Sequence, residues 1–366
     1  MGKLILILMF VSTNYLIAQK RYPLAEETII PKSQNLNKVL SDRMFYPAGS
    51  YRNQLVYQVN LREKTKYGYS TEAESKVYYD EVTGEVSDTL SVKTIGRNIL
   101  RFVQVDGITL YRGFYHVPDI YSNKIIDELD RGQSLQDYQD FWVSINDSIR
   151  NVKSYPEHYS DKDVDYYLDG SGKYIVLNEY VSQYLRSSKS DSVITVFTVE
   201  NDNIARRELN CGECIKSQVQ GDKIFFGKKF FYMHGADAYD WKIYSAPLFD
   251  LSKRELLAEY IEILLTSPDG KYILGKKQHY GQACFVILDV KSKKFDFIIG
   301  RDYFKYKYFY SPGLKQFAFD AGSHNIYIDY PKEFRFNAIG EEAIPEHTTN
   351  DEDSKFWEEH MLPPFE

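Results

Sequence analysis

The chain has only three cysteines, three tryptophans and five methionines in 366 residues, and its single long apolar run sits at the extreme N-terminus. So few cysteines exclude a disulfide-built miniature fold, because the core must come from hydrophobic burial instead. Away from Leu4–Val11 no apolar stretch is long enough to cross a bilayer as a helix. Positive charge is also short: 45 Lys and Arg stand against 52 Asp and Glu, a net charge of -7, which argues against nucleic acid or an anionic membrane as a main partner. No GxSxG nucleophile elbow and no HxxxH spacing occurs anywhere.

What is abundant is aromatic. With 32 Tyr and 22 Phe, the composition favours strands over helices. The best-formed stretch, Ile261 to Gly300, reads as four short strands joined by three turns: IEILLT, the turn SPDGK, KYILG, a turn around Gly281, CFVILDV, the turn KSKK and FDFIIG. In SPDGK, Pro268 presets φ while Asp269 and Gly270 accept the tight backbone. Tyr272 and Leu274 alternate with Ile273 as a strand requires. Four antiparallel strands in about 40 residues match one propeller blade.

Weaker copies flank it. Lys173, Lys223, Lys271 and Lys315 follow equivalent turns at intervals of 50, 48 and 44 residues, a period that marks a propeller or solenoid. Six units can be laid out, beginning near Phe45, Arg101, Val164, Cys214, Ile261 and Tyr306, the last ending in HNIYIDY and EFRFNAI. The pattern breaks at residues 118–140, read as a short helical insertion from the spacing of Ile125, Ile126 and Leu129 and then Leu135 and Tyr138. A seventh unit fits only if that insertion conceals another sheet.

SPDGKYIL followed by FVILDVKSKK resembles the repeat of TolB-type, WD-repeat-like propellers, in which a Ser-Pro-Asp-Gly turn joins the innermost strand to the second. The resemblance implies an all-β, six-bladed β-propeller of four-stranded antiparallel blades, and a fold rather than an activity. Related propellers also precede serine peptidase domains; the short stretch after the sixth unit leads to the expectation that no hydrolase domain is present.

The chain divides accordingly. Residues 1–18 read as a secretory signal, with Lys3 as the basic start, Leu4–Val11 as the apolar region and Ala18 before Gln19 as the cleavage point. Ser12, Thr13 and Asn14 interrupt the run, so no membrane insertion is expected after signal removal, and the expected location is secreted or periplasmic. Residues 19–43 form a linker or a strand that closes the last blade, 44–340 the propeller, and 341–366 an acidic tail.

In such a propeller the turns between second and third strands, and those between blades, open on one face. That face receives His116, His158, His234, His279 and His324, with Tyr239, Asp240, Trp241, Lys277, Gln278, Tyr280, Arg301 and Asp302. Imidazoles gathered there suit a transition metal, and some similar propellers are pectin-fragment lyases holding manganese through His and Gln, a role that His234, Gln278, His279 and His324 would match. Without a fixed ligand spacing, exposed loop histidines on a wide rim account for the same pattern, and no metal or cofactor is expected. Loop aromatics such as Tyr67, Tyr69, Tyr232, Tyr303 and Phe304 either stack on a sugar or peptide or cap strand ends.

Asp161, Asp163 and Asp165 resemble the start of a calcium loop, but Tyr166 stands where Gly is required and Gly172 where a bidentate Glu belongs. Cys211 and Cys214 read as a small disulfide stapling the loop between two blades, with Cys284 left as a buried thiol. The function expected from these residues is an exported, monomeric binding or interaction module for a protein, peptide or glycan, without catalysis of its own. A polysaccharide lyase or hydrolase using the histidine-bearing face is the alternative, and a structural component of an envelope complex a third.

Overall fold

A computed structural model describes residues 27–41, 43–65, 68–92, 98–114, 140–145, 148–154, 162–181, 192–200, 203–212, 214–231, 239–279, 282–298 and 306–340. The segment read as a signal, the expected insertion at 118–140 (but for its last residue) and the acidic tail lie outside them. What is described is almost wholly antiparallel sheet. Strand β1 (Glu27–Pro31) and helix α1 (Gln34–Leu40) come first. The first meander follows as β2 (Met44–Tyr51), β3 (Gln54–Thr65), β4 (Gly68–Tyr79) and β5 (Val86–Ser91), and the second as β6 (Asn98–Val105), β7 (Ile108–Phe114), β8 (Asp140–Ile145) and β9 (Ser148–Ser154). The third is β10 (Lys162–Leu168), β11 (Tyr174–Val181), β12 (Ser192–Glu200) and β13 (Asn203–Gly212). The fourth is β14 (Cys214–Gln220), β15 (Lys223–Phe231), β16 (Tyr239–Pro247) and β17 (Glu255–Glu259), and the fifth β18 (Ile261–Thr266), β19 (Tyr272–His279), β20 (Gln282–Asp289) and β21 (Lys294–Ile298). Strands β22 (Lys307–Ser311), β23 (Gln316–Asp320) and β24 (His324–Ile328) form the last, and β25 (Phe336–Asn337) ends the described chain.

The turn from first to second strand is set by one buried polar residue. In SPDGK the Ser267 hydroxyl accepts from the Tyr272 amide at 2.9 Å, and in DGSGK the Asp169 carboxylate takes the equivalent Tyr174 amide at 2.6 Å. In SPGLK the Ser311 hydroxyl accepts from Leu314 N at 3.0 Å. The Asp169 side chain therefore holds the backbone of its own turn.

Packing follows from strands buried on both faces. In β20 Val286 and Leu288 join Phe225, Ile243 and Ile263 in a core shared with the fourth meander. Their neighbours Phe285 and Ile287 point the other way, to Phe317, Phe319 and Ile326 of the last meander. The same alternation sends Ile175 and Leu177 of β11 to the second meander and Val176 to the fourth, as a period of two requires. Two further cores join the first meander to the second, through Val56, Tyr78, Phe102 and Trp142, and the first to the last, through Leu55, Tyr57, Ala318 and Tyr327.

Two connections depart from a plain series of meanders. β2 and β6 pair in parallel at Gly49↔Gln104 and Ser50↔Val105, merging the first two meanders into one eight-stranded sheet. Gly49 sits at φ 122°, and a Cβ there would meet the Gln104 carbonyl oxygen at 1.9 Å, so only glycine lets the backbones approach. The second departure concerns EFRFNAI, expected as the fourth strand of the last unit. Phe336 and Asn337 instead pair with β21 of the fifth sheet, because β1 already occupies the outer edge of β24, from Glu27↔Ile328 to Pro31↔His324. Pro331 also ends the run after Tyr330.

The junction of first and last meanders is polar at its heart. Lys32 Nζ donates to both oxygens of Asp320 at 2.8 Å, with both groups buried, and lies 4.3 Å from the centre of the Phe45 ring. Loss of solvation holds the Lys32 ammonium below its ordinary value in spite of the Asp320 charge. Beside it Asn325 donates to the hydroxyls of Tyr57 and Tyr327 at 3.2 Å. Tyr327 donates at 2.8 Å to the buried Glu81, which also accepts from Ser311 Oγ at 2.6 Å and Gly313 N at 3.4 Å.

Removing one partner of a buried ion pair leaves an uncompensated charge, so Asp320→Ala is expected to cost about 3–5 kcal/mol in urea unfolding, whereas Lys32→Met with Asp320→Leu stays near wild type. Equal losses in both would show that the pair contributes net stability. Burial raises the Glu81 carboxyl above its ordinary 4.5, so the folded chain keeps this proton longer than the unfolded one. The resulting stabilisation is full below about pH 4.5 and is lost as pH rises through the folded value. Glu81→Gln is therefore expected to gain on wild type as pH rises from acid to neutral; a gap independent of pH would contradict this.

Candidate functional site

Most of the expected loop face lies outside the described residues: His116, His158, His234, Tyr280, Arg301 and Asp302 fall there. Tyr239 and Asp240 open β16, and Gln278 and His279 close β19, so all four sit at turns between second and third strands. Trp241 is half-buried, and its indole Cε3 lies within 3.7 Å of where a Cβ on Gly227 would stand. His324 is half-buried at the start of β24, its Nδ1 3.1 Å from Ser323 Oγ. Lys277 is 1% exposed, with its ammonium 5.3 Å from the Phe295 ring and 5.6 Å from that of Tyr260, so it packs inside rather than facing solvent. Among the described residues no group of three or more His, Cys, Asp or Glu is placed to hold a metal ion.

Cys211 and Cys214 are joined as a disulfide, with Cα atoms 5.5 Å apart, at the passage from β13 to β14. Cys284 is a partly buried free thiol, pushed up to about 11 by loss of solvation, and is therefore a poor nucleophile.

A different set of residues converges on the first strands of the meanders. Each carries a polar side chain at or before its midpoint: Tyr46 on β2, Arg101 on β6, Asp165 on β10, Lys216 on β14, Glu262 on β18, and Lys307 with Tyr308 on β22. Their interactions run in a circuit. Lys307 and Arg101 reach the Tyr46 ring at 5.3 and 4.6 Å. Arg101 acts on the Tyr166 hydroxyl, as do Arg112 and Asp165. Asp165 acts in turn on Lys216, which is ion-paired with Glu262. Glu262, Lys216 and Asp165 all bear on Tyr308, next to Lys307.

Going round the circuit, charge alternates from Arg101 through Asp165, Lys216 and Glu262 to Lys307. Tyr308 is 39% exposed, but loss of solvation still raises its hydroxyl, against the pull of Lys216. Burial lowers the Lys216 ammonium and the Glu262 carboxylate raises it, the carboxylate winning. At Lys216 the backbone is left-handed, φ 52°, within an irregular register between Ile215 and Gln218 that turns its side chain out of the ladder. The signal was present in the sequence as a polar residue at a similar position in each first strand, but other polar residues such as those of CIKSQVQ and KDVDYYL mask it until the six strands are aligned on their turns.

No family model matches the chain, and no curated protein matches it. Solved structures do. The β-propeller domain of the Trilobed protease from Pyrococcus furiosus is 11% identical over 82% of this chain and 85% of that one, with a TM-score of 0.48. The Pyrococcus horikoshii acylaminoacyl peptidase is 11% identical over 83% of this chain and 47% of that one, also at 0.48. This chain thus spans about half the length of that peptidase. TolB from Acinetobacter baumannii is 10% identical over 86% and 98%, at 0.37. The repeat-level resemblance to TolB-type propellers is met by these structures, and the likeness is one of fold. The expectation of a binding or interaction module without catalysis of its own is corrected here, because the similar structures include the propeller domains of peptidases.

The Lys216–Glu262 pair gives a direct check on the axial layer. Glu262→Gln removes the carboxylate that outweighs burial, so the Lys216 ammonium is expected to titrate lower than in wild type, read by NMR of its side-chain amine. An unchanged titration would place Lys216 outside the pair.

Proposed function

We propose that the chain is an exported six-bladed propeller that serves peptide cleavage by admitting an extended peptide along its axis. The single observation that carries this reading is the axial layer of alternating charge, Arg101, Asp165, Lys216, Glu262 and Lys307, interleaved with Tyr46, Tyr166 and Tyr308. An extended peptide presents both signs at its termini, and amide donors and acceptors along its length. A wall of both signs complements such a chain better than it does a polyanion or a neutral sugar.

The blade count is supported by the apolar cores. Six of them link each meander to the next and the last to the first, with β1 as the fourth strand of the last. Export is supported by the Cys211–Cys214 disulfide, a bond favoured in oxidising compartments. No helix among the described residues is long and apolar enough to cross a membrane.

The reading is tested by isolating the protein from its native host under mild conditions and assaying the material on a pool of hexapeptides. Peptide hydrolysis that falls about tenfold or more when Lys216 and Glu262 are both replaced by Ala, with the melting temperature held, is expected. Isolated material that neither retains nor cleaves any peptide would rule the reading out.

A further inference from the structure

Charge around the axial layer is not evenly compensated. Lys216 is paired with Glu262, whereas Arg101 and Lys307 make no ion pair among the described residues, although both are exposed to water and both reach the ring of Tyr46. They come from first strands on either side of β2, so Tyr46 lies between two cations rather than beside a carboxylate. Arg112 adds a third positive group near this sector, its guanidinium carbon 5.7 Å from the Tyr166 ring. On the remaining arc lie Asp165 and Glu262. The layer is therefore polarised, cationic around Tyr46 and with its two carboxylates, Asp165 and Glu262, on the arc of Lys216.

From this we infer a carboxylate-binding subsite at Tyr46, in which Arg101 and Lys307 hold the C-terminal carboxylate of a peptide while the acidic arc faces its N–H and ammonium groups. The inference rests on the peptide reading of the axis and adds a polarity to it. Two cations brought to one ring favour an anion more than either does alone, because their attractions to it add. An Arg side chain offers the fork that matches a carboxylate, and Lys supplies a second point charge. The Tyr46 ring sets both cations on its surface, limiting the freedom that binding would otherwise have to remove. Peptides with a blocked C-terminus lose this contact.

The test compares one hexapeptide pool in two forms, free acid and C-terminal amide, for retention on the full-length protein, with Arg101→Gln and Lys307→Gln beside wild type. Wild type is expected to retain the acids about tenfold better than the amides, and each variant to lose that preference while keeping its melting temperature. Acids and amides bound equally by wild type would overturn the subsite and leave the axial reading standing. If neither pool binds, the axial reading fails, and a titration with sodium sulfate at constant ionic strength decides the subsite alone. Protection against heat that is greater in wild type than in both variants upholds an anion site, and equal protection in all three removes it.

Discussion

The contact on which the arrangement depends is the junction of the first and last meanders, where Lys32, Asp320, Asn325, Tyr57, Tyr327 and Glu81 meet. Among the described residues these two meanders are far apart in sequence except for β1, which passes through α1 into β2. The junction is made by β1 completing the sheet of β24 and by an apolar core that includes Leu36 and Leu40 of α1. Into this core is set a polar network that is costly to bury and satisfied only in one register. A one-residue slip of β1 would carry Lys32 away from Asp320 and leave two buried charges without partners. Such a network contributes little net stability compared with an apolar replacement, but it penalises every misaligned closure. Hydrogen bonds to Glu81 from Tyr327, Ser311 and Gly313 extend the constraint to the turn after β22, so the final first strand is placed by the same contacts.

That placement matters because the first strands carry the axial layer. Tyr46 of β2 faces Lys307 of β22 only if the first and last meanders are correctly joined. Asp165 of β10 also bears on Tyr308 of β22, although their meanders share no core. The polar layer and the apolar cores are thus two products of one geometry. Alternating residues of the inner strands such as β11 and β20 fill the spaces between sheets, while polar positions recur on the first strands. Buried and half-buried lysines recur at these boundaries. Lys76 donates to Gln104 and Thr109 at 3.0 and 2.9 Å between the rings of Phe102 and Tyr111, and Lys153 pairs with Glu179 at 2.8 Å. Each fixes one meander against the next by a directional contact that hydrophobic packing alone does not supply.

The outer edges are handled unevenly. β21 is covered by β25, and the segment leading to it stacks Tyr330 on Tyr272 at 4.1 Å and ties Arg335 to Asp296. Gly340 N then donates to Glu259 Oε2 at 3.0 Å, so the end of the described chain is anchored across the fourth and fifth meanders. An edge covered in this way is withdrawn from pairing with another chain. β13, ten residues long with Arg206, Arg207 and Glu208 exposed, protects its own edge by charge instead.

By itself the sequence determined the local unit: alternating strands, the turns SPDGK, DGSGK and SPGLK with their buried Ser267, Asp169 and Ser311, and the Cys211–Cys214 staple. Those features depend on residues only a few positions apart, so their signal is contiguous in the chain. Tertiary structure alone decided that Gly49 admits a parallel contact with Gln104, that Phe336 pairs with the fifth sheet rather than the last, that Lys277 turns inward, and that Arg101 and Lys307 both reach the ring of Tyr46. Periodicity reports which side of a strand a residue occupies but not which neighbour lies on that side. For Lys32 and Asp320, 288 residues apart, only the closing of the last sheet by β1 brings the two charges together.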